Sequence, residues 1–174
     1  MKISEAQEVL GKIIQLKIKN NRRELAYIRR GPKPENLVNN LGMVSRYVYP
    51  SNIDDLTAAS EVLSAFVSCD CETGTMSFGR AMSLLQDKSP SADLRIQRVL
   101  SARNTQELAV ALRPVLVLMR REHILPDFAR LLAAVVNFPA WRDNVISTWS
   151  LGFYRGKNAA AAQAEEAWEE EAAA

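Results

Sequence analysis

Apolar residues recur along this chain every three or four positions and almost nowhere every second position. That spacing predicts helices and no sheet. Ala6, Val9, Ile13 and Leu16 mark a first helix from Ser4, its expected N-cap, to about Asn20. Asn20-Asn21 breaks it, and "RRELAYIRRG" follows, stopping at Gly31 as helices do. Pro34 is placed to open the next helix, with Leu37, Leu41, Val44 and Val48 as its stripe. Asp54 and Asp55 suit the first turn of another, facing its dipole, ahead of Leu56, Ala59, Leu63, Phe66 and Val67. "CDCETGT" reads as a loop, and Ser77 to Gln86 as a short helix burying Phe78, Met82 and Leu85.

"DKSPS" is the strongest internal boundary. Beyond it, Ala92 to Ala102 is helical. Asn104 with Glu107 three later is a capping-box variant leading into Leu108, Leu112, Val115 or Leu116, and Met119. Pro114 should kink or split that helix, because it removes a backbone donor in mid-run. Pro126 is expected to open a helix with Phe128, Leu131, Leu132 and Val135 inside. Pro139 is expected to open the last, where Trp141, Val145, Trp149 and Phe153 recur every four residues as core positions. The architecture expected is all-α: two small helical bundles packed together, residues 1–88 and 89–157, then an Ala/Glu-rich acidic tail, 158–174, read as a solvated or frayed helical tail.

Composition narrows the chemistry. Two cysteines in a C-x-C pair and one histidine make neither a disulfide framework nor a zinc site. No metal and no cofactor are expected. No Gly-rich phosphate loop, G-x-S-x-G or H-E-x-x-H occurs, and His123 in "RREHILP" suits a helix end better than acid–base work. An enzyme is not expected. No apolar run is long enough for a membrane span, and the thiols suit a reducing, cytoplasmic setting. The net charge of +2 hides an asymmetry, since the tail carries five glutamates and no base. Residues 1–157 carry 22 bases against 15 acids, a net of +7. Fifteen of those bases are arginine, the side chain whose planar fork fits phosphate oxygens.

"LRIQRVLSAR" shows where the excess goes. At about 100° per residue, Arg95 and Arg98 share one helical face, and Ile96, Val99 and Leu100 take the other. Arg103 falls on the apolar side by angle but sits at the helix end, where it can swing out. Arg80 lies between Gly79 and Ala81, small neighbours that let a backbone or a phosphate approach. Further basic points are Arg22-Arg23, Arg29-Arg30 with Lys33, Arg120-Arg121, Arg142, and Arg155 with Lys157. Basic residues at several helix ends, with few acids nearby, suit a groove that follows a sugar-phosphate backbone without reading bases.

"SFGRAM", then "LRIQRVLSARNTQEL", "LPDFARLLAAVVNF" and "WSLGFY" together resemble the CasB family, the small subunit of the type I-E CRISPR Cascade complex. That family carries a G-R-A-L-type helix, an arginine-rich helix, a D-(W/F)-A-R-L-L-type helix and a closing W-x-x-x-F-Y. Order and spacing hold from Ser77 to Tyr154, and "RRELAYIRRG" resembles the family's first basic element. The chain departs from the pattern at Leu94, where the family often has arginine, at Pro114, and in its acidic tail. The resemblance implies an all-α, non-enzymatic scaffold beside other Cascade subunits and a second copy of itself. It would help hold guide RNA, target strand and displaced strand in an R-loop. By motif position it implies phosphate contact at Arg80, Arg95 and Arg98, and at Arg29 and Arg30. Arg103, Arg142, Arg155 and Lys157 extend that set, while Arg130 would be structural and could anchor a carboxylate across the bundle. Two rival readings are a helix-turn-helix regulator reading bases and a helical protein–protein adaptor.

Overall fold

The computed structural model describes residues 1–49 and 52–172, with side chains described as far as Gly156. Among them the fold is all-α. The helices are α1 (Ile3–Ile18), α2 (Arg22–Arg30), α3 (Leu37–Val44), α4 (Ile53–Ser68), α5 (Phe78–Lys88), α6 (Asp93–Leu100), α7 (Thr105–Arg121) and α8 (Phe128–Ala172). Two 3-10 turns, Pro34–Asn36 and Pro90–Ala92, lead into α3 and α6. Met76 and Pro126 form an isolated parallel bridge.

The apolar stripes meet in one cluster running from Ala6 on α1 to Phe153 on α8. α4 lies at its centre, packed along α7 and α8, with Phe66 edge-on to Phe128 at 5.5 Å between ring centres. α5 packs along α8, with Phe78 edge-on to Trp149 at 4.9 Å. These two helices cross at Gly79 and Gly152. A Cβ on Gly79 would stand 2.3 Å from the Trp149 carbonyl oxygen, so only glycine lets the backbones come this close. The small residue before Arg80 therefore accommodates another backbone.

Local rules account for most helix starts. Asn21, Asn52, Ser77 and Asn104 each accept a hydrogen bond from the amide three residues on. Glu107 reaches back to the Arg103 amide at 2.9 Å, so the capping box includes the residue before the cap. The structure corrects several expectations. α1 begins at Ile3, not after Ser4, because the Glu5 carboxylate accepts from the Lys2 amide at 2.8 Å. α7 runs unbroken through Pro114. Val110, whose carbonyl loses its donor there, lies on the exposed side of α7, where water can replace it.

α8 starts at Phe128 and not at Pro126, because Asp127 caps it by accepting from the Arg130 amide at 3.0 Å. Pro126 instead holds the 73–76 loop, its carbonyl accepting from the Gly74 amide at 3.0 Å. Pro139 does not begin a separate helix; the helical backbone is interrupted at Trp141 (φ −130°, ψ 23°) and resumes in the same element. The interruption rotates Trp141 out of the core stripe, leaving it 61% exposed, while Trp149 and Phe153 stay buried. Arg130 pairs with Asp127, the cap of its own helix, at 3.1 Å rather than across the bundle. Asp55 lies in the first turn of α4, as expected, and is buried there. The predicted tail, residues 158–174, continues α8 as far as Ala172, and its side chains lie outside the described residues.

Candidate nucleic-acid interface

The C-terminal end of α2 is held by side chains from its neighbours. Helix ends leave carbonyls without intrahelical donors. Here the Asn40 amide donates to the Tyr27 carbonyl at 2.9 Å and the Asn36 amide to Gly31 at 3.2 Å. The Ser64 hydroxyl donates to the Arg29 carbonyl at 2.8 Å. Asn40 is itself fixed by the Ser60 hydroxyl. Gly31 closes the helix with φ 70°, a conformation that favours glycine. Arg29 and Arg30 are thus carried, exposed, on a backbone that α3 and α4 pin from beneath.

Above that end lies a groove of about 200 Å³ between α2, α4 and α7. Arg29 and Arg30 line it from α2, Lys33 from the following link, and Arg113 and Arg120 from α7. α4 contributes Ser64, Ser68 and the groove's one acid, Glu61. Glu61 is 8% exposed. Its carboxylate stands 4.0 Å from the Arg113 guanidinium, at the outer limit of an ion pair. Burial pushes the Glu61 carboxyl up to about 7, against the opposing pull of Arg113 and then Lys33.

A second groove, of about 420 Å³, lies between α6 and α7. Arg95, Arg98 and Ser101 form one wall; Gln106, Glu107, Val110, Ala111 and Pro114 form the other. Arg98 is exposed and Arg95 half-buried, opposite buried Ile96 and Val99, as the angles along α6 required. Neither of the nearby acids pairs with them. Asp93 accepts from the Gln86 amide at 2.5 Å, and Glu107 is engaged in capping α7. Among the described residues, no carboxylate lies within ion-pair distance of Arg95 or Arg98. The two grooves occupy adjacent faces of α7, centred roughly 100° apart by helical geometry, and α7 is the ridge between them. Val110 and Val117 are exposed on that ridge.

The remaining candidates are placed differently. Arg80 is partly buried and donates to the Gly156 carbonyl at 2.9 Å, tying α5 to α8. Arg142 donates through Nε to the Ala102 carbonyl at 2.9 Å and through Nη1 to Asp143 at 2.5 Å, tying α8 to the turn after α6. Arg103 is exposed in that turn, beyond the end of α6, and Arg155 is exposed on α8. The side chain of Lys157 lies outside the described residues. His123 stands just past the end of α7 at φ 55°, a helix-end residue as its context suggested. Sequence reading did not select Arg113 or Glu61. Glu61 carried no signal, since by angle it falls opposite the stripe of Leu56, Ala59, Leu63, Phe66 and Val67, and it is buried because α4 is covered on both faces. Arg113 and Arg120, seven apart, share a face of α7.

Among the described residues, no group of three or more His, Cys, Asp or Glu side chains is arranged to hold a metal. No described helix is long and apolar enough to cross a membrane. No curated relative matches the chain. Its fold is similar to the crystal structure of CasB from M. ruber, with a TM-score of 0.65 and 19% identity over 92% of this chain and 98% of that one. It is also similar to the crystal structure of CasB from Thermobifida fusca, with a TM-score of 0.57 and 21% identity over 87% of this chain and 94% of that one. The family model described as CRISPR-associated protein Cse2 matches residues 24–154, a span that holds both arginine-lined grooves, and the chain belongs to that family.

Proposed function

We propose that this chain is the non-catalytic small subunit of a type I-E CRISPR Cascade complex. In this reading it binds nucleic-acid backbone without sequence preference and stabilises the target heteroduplex and displaced strand of an R-loop. One observation carries the reading: arginines from α2, α6 and α7 line two grooves on adjacent faces of α7, and the α6 arginines have no carboxylate partner among the described residues. Cations left free toward solvent are suited to phosphates, whose counterions they displace on binding. R-loop formation exchanges one duplex for another of similar stability, so a few backbone contacts decide its direction. Guide RNA, target DNA, the other Cascade subunits and a second copy of the chain are the partners this role requires. The protein would act in the cytoplasm and need no cofactor.

Replacing Arg95 and Arg98 together with alanine tests this. Affinity for any single strand should fall uniformly, and the slope of log K against log salt should flatten by about one unit per lost phosphate contact. Unchanged affinity and slope would favour a protein–protein adaptor instead.

A further inference from the structure

The α2–α4–α7 groove differs from a general basic surface in one respect. It is small, walled by five cations from three segments, and already contains a buried anion. We propose that this groove is a discrete site for one phosphodiester group, and that Glu61 is the resident counter-anion that an incoming phosphate displaces from Arg113. The inference rests on the backbone-binding reading and names a place where one phosphate would sit.

The size fits. At about 200 Å³ the groove is smaller than the ~300–1,000 Å³ typical of organic ligands, and it suits a single phosphate. The donors fit as well. Arg29, Arg30, Arg113 and Arg120 offer planar forks, Lys33 a point charge, and Ser68 a hydroxyl. Five cations converging without an anion would repel one another, and Glu61 offsets that repulsion in the unbound protein. Its hold is weak by geometry: at 4.0 Å from Arg113 it lacks the close bidentate fit of a strong arginine–carboxylate pair. The Ser64 hydroxyl is committed to the Arg29 carbonyl, so it does not anchor the Glu61 carboxylate.

A phosphate entering the groove faces a negative Glu61, and binding is strongest when that carboxyl is protonated. Burial already holds its pKa at about 7, so a small added repulsion is enough to drive proton uptake. The charged groups facing Glu61 are Arg29 and Arg30 on α2, Lys33 on the link, and Arg113 and Arg120 on α7; Ser64 and Ser68 on its own helix do not titrate. Affinity therefore rises as pH falls through neutrality.

The test measures binding of the full chain to a short single-stranded DNA, and to RNA of the same sequence, by fluorescence anisotropy at constant ionic strength. Wild type should bind about three- to tenfold tighter near pH 6 than near pH 8, the effect of removing one charge at close range. Glu61→Gln should bind tightly at both pH values, losing most of that ratio, and because it keeps His123 the comparison isolates Glu61. Calorimetry on wild type in buffers of differing ionisation enthalpy supplies a readout that needs no variant: about half a proton should be taken up per site near pH 7. An unchanged pH ratio in Glu61→Gln, or no proton uptake by wild type, overturns the proposal while leaving general backbone binding intact. A response confined to one of the two nucleic acids overturns the phosphodiester as the recognised group. Binding of neither strand by wild type at low salt overturns the backbone reading itself.

Discussion

The two grooves flanking α7 use arginine in opposite ways. In the α2–α4–α7 groove the cations are held by a buried polar network and face a carboxylate that packing has made costly to ionise. In the α6–α7 groove, Arg95 and Arg98 stand over Val110, Ala111 and Pro114, and the nearby acids are engaged elsewhere. The first groove couples charge to folding, and the second carries charge that folding does not use. Substitutions in the first should therefore change stability as well as binding, and those in the second should change binding alone.

The largest expected effect is at the base of the first groove. Asn40→Leu removes the shorter of the two amide bonds to the Tyr27 carbonyl and leaves the buried Ser60 hydroxyl without its acceptor, and should cost about 2–4 kcal/mol in urea denaturation. An effect below about 0.5 kcal/mol would mean that the network does not hold α2 in place.

Glu61→Gln comes next, with a sign that depends on pH. The folded-state pKa of Glu61 lies above its ordinary value of 4.5, at about 7. Between those values the folded protein keeps a proton that the unfolded chain releases, so stability falls as pH rises toward 7 and then levels off. The glutamine variant should therefore be more stable than wild type by about 1–3 kcal/mol near pH 8, and the gap should close near pH 5. A gap independent of pH would place the Glu61 pKa outside this window.

Arg113→Ala leaves Glu61 without its nearest cation and should cost about 1–2 kcal/mol near pH 8, less near pH 5, by thermal or urea melts. The smallest effect on folding belongs to Arg95→Ala and Arg98→Ala, each within about 0.5 kcal/mol of wild type, because neither arginine has an ion-pair partner among the described residues to lose. If the α6 variants destabilise as much as Arg113→Ala, the contrast between the grooves fails.

This contrast also marks what the sequence could reveal. The second groove was legible, because Arg95, Arg98, Ile96 and Val99 lie within one short helix, where angle alone separates the faces. The cap at Asn104 and the stop at Gly31 were legible for the same local reason. The first groove was half-read. Arg29 and Arg30 stand out in "YIRRG", but their meeting with Glu61 and Arg113 depends on how α2, α4 and α7 pack, which no local pattern encodes. Helix interruptions were misplaced where a proline's effect depended on its surroundings. Pro114 was absorbed on an exposed face, and the break near Pro139 fell at Trp141, turning that indole outward. Gly79 was read as room for a backbone or a phosphate, and the backbone of α8 takes it. The division at residue 88 rested on turn composition, while the buried apolar cluster runs without a gap from α1 to α8.

The central claim is that these arginines bind backbone and do not read bases. Competition between several unrelated DNA sequences for the full chain, repeated across a range of salt, tests it most directly. The account predicts affinities that agree within about threefold among sequences and weaken together as salt rises. A preference of several orders of magnitude for one duplex, or binding insensitive to salt, would contradict it.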